Sequence, residues 1–210
     1  MDSLKDSTKI VIIVFLLFSL FASLMYIIST STRGTPPSSV SPPQQPQDEK
    51  EMYGKASISG NGTVSGELIF IQIPGKGLTI NGQISGLTPG QHGLHVHEFG
   101  DLSNPTNKCA STGPHYNPEN KTHGGLESEI RHKGDLGNIV ASANGVANVN
   151  ITVKELNLSS IAGRAIVVHE KADDLGMGKT TESSTTGSAG TSLACGIITI
   201  IDAPSDINVI

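Results

Sequence analysis

The seven histidines of this chain all fall between positions 92 and 169, and their spacing suits metal chemistry. His95 and His97 are two residues apart in an alternating segment, so on a strand both side chains leave the same face. Their Cα atoms would then lie about 6.5–7 Å apart, close enough for both imidazoles to meet one ion. Taken alone, a strand His-x-His more often reflects surface chemistry than a ligand pair. His115, His123, His132 and Asp135 follow in a glycine-rich stretch, separated by seven, eight and two residues. Three imidazoles and one carboxylate form a closed four-ligand set of the kind zinc takes in tetrahedral geometry. His169 ends the apolar run Ala165-Ile-Val-Val. Seven unrelated histidines would leave unexplained why one weakly patterned loop holds three of them and an Asp.

The elements that must position these residues read as β-strands. Alternating segments recur at 53–60, 64–73, 78–86, 91–98, 136–143, 146–153, 163–170 and 194–201, punctuated by Pro74-Gly75, Pro89-Gly90 and Asn144-Gly145. Asn144-Gly145 between two apolar runs predicts a type I′ hairpin. No stretch keeps a helical period over three turns. Eight short strands imply an all-β fold, a sandwich or flattened barrel. Two long gaps, 99–135 and 171–192, interrupt the strand spacing. Loops of that length are uncommon unless they carry function, and most of the candidate ligands lie in or beside them.

The composition agrees. Trp is absent and aromatic residues make up 4% of the chain, so the core must be built on Val, Ile, Leu and Gly. The net charge of −5 and the lack of a basic run exclude a nucleic-acid footprint. Residues 1–9 read as a cytoplasmic N-terminus. Residues 10–28 carry no charge and approach the roughly 20 apolar residues that span a bilayer. They read as a transmembrane signal anchor, the run being longer than an ordinary signal-peptide core. Cleavage near Ser29 and Ser31, giving a secreted protein, is the alternative. Lys5 and Lys9 before the run and Arg33 after it place the remainder outside the cell. Residues 29–52 form a linker, with five prolines between Gly34 and Lys50. As polyproline II that segment reaches up to roughly 50 Å. The folded domain is expected at 53–203, followed by a tail at 204–210. Four N-glycosylation sequons begin at Asn61, Asn120, Asn150 and Asn157, which suits an external or lumenal domain.

The segments GLHVHEFGD, GPHYNP, HGG, RHKGDLGN, VVHEKADDLG and LACGIITI together resemble those of copper/zinc superoxide dismutases. The resemblance covers residues 53–203 and implies an eight-stranded Greek-key β-barrel with two long functional loops. It also implies one copper and one zinc ion per subunit. By matching residues, His95, His97, His115 and His169 resemble the copper ligands. His115, His123, His132 and Asp135 resemble the zinc ligands, with His115 bridging and relaying a proton. Four imidazoles in a tetragonal set suit Cu(II). Asp173 resembles the carboxylate that ties a copper histidine to a zinc histidine. His92 has no ligand counterpart and is expected to make a structural hydrogen bond. Cys109 and Cys195 resemble the family's intramolecular disulfide.

The implied activity is dismutation of superoxide, by a membrane-anchored or secreted enzyme. One superoxide would reduce Cu(II) and leave as dioxygen. A second would reoxidise Cu(I) and take up two protons to give hydrogen peroxide. Three positions depart from the family pattern. Ser192 stands where members usually carry an Arg that positions the anion beside copper. Between Met177 and Gly190 only Lys179 and Glu182 are charged, so electrostatic guidance of superoxide should be weaker. The stretch from Leu102 to Pro105 adds about three residues to a region that forms the dimer interface in many members. A homodimer is one of the states the resemblance allows. Two other readings stay open. One is a non-catalytic copper/zinc-binding domain in which Ser192 marks lost catalysis. The other is a copper chaperone-like protein, although such proteins usually add a Cys-rich transfer motif and this chain has two cysteines.

Overall fold

The computed structural model describes residues 50–60 and 62–203. Residues 1–49, 61 and 204–210 lie outside the described residues, and with them the expected anchor, most of the linker, the tail and the Asn61 sequon. The described residues form nine strands: β1 (Met52–Gly60), β2 (Ser65–Ile73), β3 (Gly77–Ser85), β4 (Gly90–Val96), β5 (Asp135–Ala141), β6 (Ala147–Val153), β7 (Ala165–His169), β8 (Ser192–Ile197) and β9 (Thr199–Ile201). Their order is β2-β3-β6-β5-β4-β7-β8-β1, and pairing of β1 with β2 closes the ring into an antiparallel barrel. The connections from β3 to β4 and from β6 to β7 each skip two strands of that order and are the Greek-key crossings. Closure leaves the barrel without a free sheet edge.

Alternation along each strand explains the closure. In β1, Ala56 and Ile58 point inward while Ser57 and Ser59 point outward. Leu68 and Phe70 of β2, Leu78 and Ile80 of β3, and Leu94 of β4 are fully buried in one cluster. Each such side chain contributes about 1.5–3 kcal/mol of burial. With so few aromatics, this continuous aliphatic core carries the fold.

The expected last strand, 194–201, is interrupted. Ile198 is fully buried, and its backbone bonds to Arg164 O and from Gly163 N, outside the ladder. The strand therefore divides into β8 and β9. The Asn144-Gly145 turn also differs from the type I′ expectation. Ser142 N donates to Val146 O and Gly145 N donates to Ser142 O, enclosing a three-residue loop. Only Gly145 in it takes positive φ, at 76°. One left-handed residue suffices for a three-residue loop, whereas type I′ needs two.

The two long gaps hold only short helical pieces. A 3-10 turn spans Lys108–Ser111, and α2 (Thr181–Thr186) lies in the second loop. A further short helix, α1 (Leu158–Ile161), precedes β7. Cys109 in the 3-10 turn is disulfide-bonded to Cys195 of β8, as the resemblance implied. The bridge closes 86 residues. In the chain-entropy description such a loop contributes about 4–5 kcal/mol. It also ties the loop that carries His115 to the strand beside His169.

Candidate metal centre

Strand pairing delivers most of the site. His95 lies in β4 opposite Val167 of β7 and opposite Asp135 at the start of β5. His97 follows one turn of the pleat later and forms an isolated bridge with His115. His169 ends β7 opposite Ser192 of β8. His123 and His132 come from the first long loop. All six of these histidines and Asp135 are buried, although none belongs to the apolar core. Buried polar groups of this number need partners.

The ligand nitrogens of His95, His97, His115 and His169 lie within 4.8 Å of one another. Hydrogen bonds at the opposite ring positions reveal which nitrogens carry protons. His97 Nδ1 lies 2.7 Å from Gly113 O, and His169 Nδ1 lies 3.2 Å from Gly190 O. A carbonyl only accepts, so both Nδ1 atoms donate and both Nε2 atoms present lone pairs. Those two Nε2 atoms stand 3.2 Å apart. His95 Nε2 donates to Asp173 Oδ2 at 2.8 Å, which leaves the lone pair on Nδ1. His95 Nδ1 and His115 Nε2 are buried without a hydrogen-bond partner. Four lone pairs therefore converge with no proton among them, and a cation satisfies all four.

On the other side of His115, Asp135 gathers three rings. Its Oδ1 lies 2.8 Å from His115 Nδ1 and 3.3 Å from His132 Nδ1, and its Oδ2 lies 3.0 Å from His123 Nδ1. The Nδ1 atoms of His123 and His132 are not aligned for hydrogen bonds and count as unpartnered. The second grouping whose ligand atoms lie within 4.8 Å of one another is His95, His115, His123 and Asp135, with His95 in the place expected for His132. His95 reaches it because its ring stacks on His115, with centroids 3.9 Å apart. Backbone N–H groups of Gly124 and His132 donate to Asp135 Oδ2 and orient the carboxylate.

Electrostatics separate the two halves. Burial, reinforced by the neighbouring His115, lowers His95 to about 3 and His169 to about 4. Burial likewise holds His97 well below the usual imidazole range and lowers His115. The first group is thus neutral near pH 7, as a metal ligand must be. For His123 burial pulls downward, but the carboxylates of Asp135 and Asp173 outweigh it and raise the ring to about 9. For Asp135 and Asp173 burial pulls upward, but the surrounding histidines outweigh it and hold both carboxyls far below the ordinary range.

Asp173 lies between two of the rings. One carboxylate oxygen accepts from His95 Nε2 and the other from His123 Nε2, each at 2.8 Å. It links the two groups of rings and fixes their orientation. Its backbone is held by Asn138, whose amide donates to Asp173 O and accepts from Asp173 N. The sequence offered no signal for Asn138, because its partner lies 35 residues away. The carbonyls of Gly113 and Gly190 were also illegible, since any residue has one. His92 makes its structural bond: Nδ1 lies 2.8 Å from His169 O. Ser192 is half-buried, and its carbonyl accepts from Asn107 Nδ2. Asn120, Asn150 and Asn157 are all exposed.

A closed Greek-key barrel with two overlapping histidine-rich clusters that could hold metal ions defines a narrow class of protein. Residues 64–198 match the profile of the family described as copper/zinc superoxide dismutase (SODC). An extracellular superoxide dismutase [Cu-Zn] from Brugia pahangi is 52% identical over 148 residues, which is 68% of this chain and 72% of that protein. The chain belongs to the copper/zinc superoxide dismutase family. It is an oxidoreductase acting on superoxide, with copper and zinc as its cofactors.

Proposed function

We propose that His95 Nδ1, His97 Nε2, His115 Nε2 and His169 Nε2 hold the copper. His115, His123 and His132, each through Nδ1, and one Asp135 oxygen hold the zinc. The observation that carries this reading is the convergence of lone pairs on one side of His115, with the unpartnered Nδ1 atoms of His123 and His132 gathered beside Asp135 on the other. His95 is assigned to copper alone, because Asp173 takes its Nε2 and only one lone pair remains. His132 then completes the zinc set with its unpartnered Nδ1. When bound, copper supplies one-electron redox chemistry and zinc a fixed positive charge.

His115 is the proton-handling residue. Its Nε2 faces the copper side while Nδ1 stays against the zinc side and Asp135. With Nδ1 held on that side, Nε2 would be the atom that takes up a proton and gives it back during the reaction. Asp173 keeps the His95 and His123 rings in place during that exchange. Ser192 offers no charge to the anion, so the enzyme is active but slower than arginine-bearing relatives. A copper-delivery role has no thiol to work through, since both cysteines of the chain are in the disulfide. The deciding experiment is superoxide consumption by the chain loaded with one copper and one zinc. Full metal content with no consumption would leave a metal-binding domain without turnover.

The domain works outside the cell, reached through an anchor at residues 10–28 or after cleavage of that segment. Supporting this are the disulfide, which suits an oxidising compartment, and the relative's extracellular name. Retention on membranes after alkaline carbonate washing marks the anchor, and a soluble product beginning near residue 32 marks the secreted form. The chain forms a homodimer through the exposed side chains of Phe99, Ile197 and Ile200. Phe99 O accepts from Ala165 N, and Ala165 pairs with Ile197, so Phe99 and Ile197 lie on neighbouring segments. A monomer by sedimentation at micromolar concentration would exclude it.

A further inference from the structure

A cavity of about 590 Å³ opens between the first long loop and α2. Its lining includes His115 and His132 together with Asn120, Lys121, Thr122 and Thr185. His95, His97 and His169 are not among its lining residues, so it leads to the zinc side of the shared imidazole. Asn120-Lys121-Thr122 is a glycosylation sequon, and all three residues are exposed. Asn120 sits at a turn with φ 51°, a conformation Asn adopts readily, and only its backbone N–H is bonded, to Asn117 O. Neither its side-chain amide nor the Thr122 hydroxyl has a partner among the described residues.

The other described sequons are more constrained. In Asn150-Ile151-Thr152, β6 holds the Asn opposite Asn81, and the Thr152 hydroxyl is bonded to that of Thr79. In Asn157-Leu158-Ser159 the central Leu158 is fully buried.

We propose that Asn120 carries an N-linked glycan that covers the zinc-side cavity and retards loss of zinc. The inference rests on the extracellular reading above. The Asn120 side-chain nitrogen attacks C1 of an oligosaccharide carried on a polyisoprenyl diphosphate. A C1–N bond forms, the C1–O bond to the diphosphate breaks, the amide loses one proton and the lipid diphosphate leaves. The product is bulky and hydrated. Attached at the rim, it stands over the opening through which water and chelators approach His132 and His115.

The full chain is produced in cells that export it and is treated with a glycan-removing amidase in heavy-oxygen water. Asn120 should then be read by mass spectrometry as Asp bearing heavy oxygen. Deglycosylated protein and the Thr122→Val variant should both lose zinc to EDTA several-fold faster than the glycosylated protein. Copper should leave all three at the same rate. Thr152→Val, which removes only the Asn150 acceptor, should leave zinc loss unchanged. Exported protein with Asn120 unmodified overturns the proposal and leaves the extracellular reading standing. A chain kept inside the cell with every sequon bare overturns both. A modified Asn120 with zinc loss unaffected by glycan removal overturns the shielding role.

Discussion

Gly187 packs so closely against Asp173 that a single added methyl would overlap its carboxylate. Gly187 caps α2 with a left-handed φ of 64°, and its N–H donates to Ser183 O. The same hypothetical methyl would also press on His123 Nε2. The second long loop thus lies against the carboxylate that joins the two groups of histidines, and only glycine leaves room for it.

Gly187→Ala should therefore displace Asp173 from His95 and His123. Loss of a partner that orients metal ligands typically costs about 10–100-fold in metal affinity. Competition with a chromophoric chelator should show both metals weakened in the folded variant. Metal affinities equal to wild type would show that the loop yields without moving Asp173.

His115 and Asp135 should separate the two metals. His115 is proposed to serve both metals, so His115→Ala should weaken copper and zinc together. Asp135 contacts the Nδ1 side of His115 together with His123 and His132, so Asp135→Ala should mainly weaken zinc. Metal content after dialysis against graded chelator reads the difference. Equal loss of both metals in Asp135→Ala would contradict the proposed division.

Ser192 lies opposite His169, a proposed copper ligand, and carries no charge. Ser192→Arg should raise the rate of superoxide decay in pulse radiolysis at low salt. Charge steering is screened beyond about 8–10 Å at 0.10–0.15 M salt, so the variant should also show a steeper fall with ionic strength. Identical rates and slopes for the two proteins would show that another cation already guides the anion.

The metal-free, disulfide-bonded protein should be most stable near neutral pH. An unfolded imidazole titrates at about 6.5. In the fold His95 and His169 titrate at about 3 and about 4, and His97 is also lowered. Between those values and 6.5 only the unfolded chain takes the protons, so stability falls as pH drops. His123 shifts the opposite way, to about 9. Its contribution is complete below about 6.5 and is lost as pH rises through about 9. Urea midpoints from pH 4.5 to 9 should therefore pass through a maximum. A midpoint that climbs steadily to pH 9 would refute the balance.

Much of the molecule was readable before any coordinates. Strand periodicity marked eight strands because inward and outward residues alternate, as in Ala56 and Ile58 against Ser57 and Ser59. The loop histidines and Asp135, with the His-x-His pair beside them, were legible as candidate ligands because their chemical types are rare and their spacing is local. Asp173 and the Cys109–Cys195 bridge became legible only through resemblance to a family, since nothing local connects them to their partners.

Tertiary structure decided the rest, and in each case through contacts between residues distant in sequence. Pairing of Ile198 with Arg164 and Gly163 split the last strand. A single left-handed residue at Gly145 set the hairpin. The carbonyls of Gly113 and Gly190 determined which nitrogens of His97 and His169 are free, and backbone carbonyls carry no signature in a sequence. The closeness of Gly187 to Asp173, and of Asn120 to the cavity over His132, arises from folding two loops onto one barrel. A residue type and its spacing specify what chemistry a side chain can do; the proton it holds and the space beside it are set by neighbours that only the fold brings near.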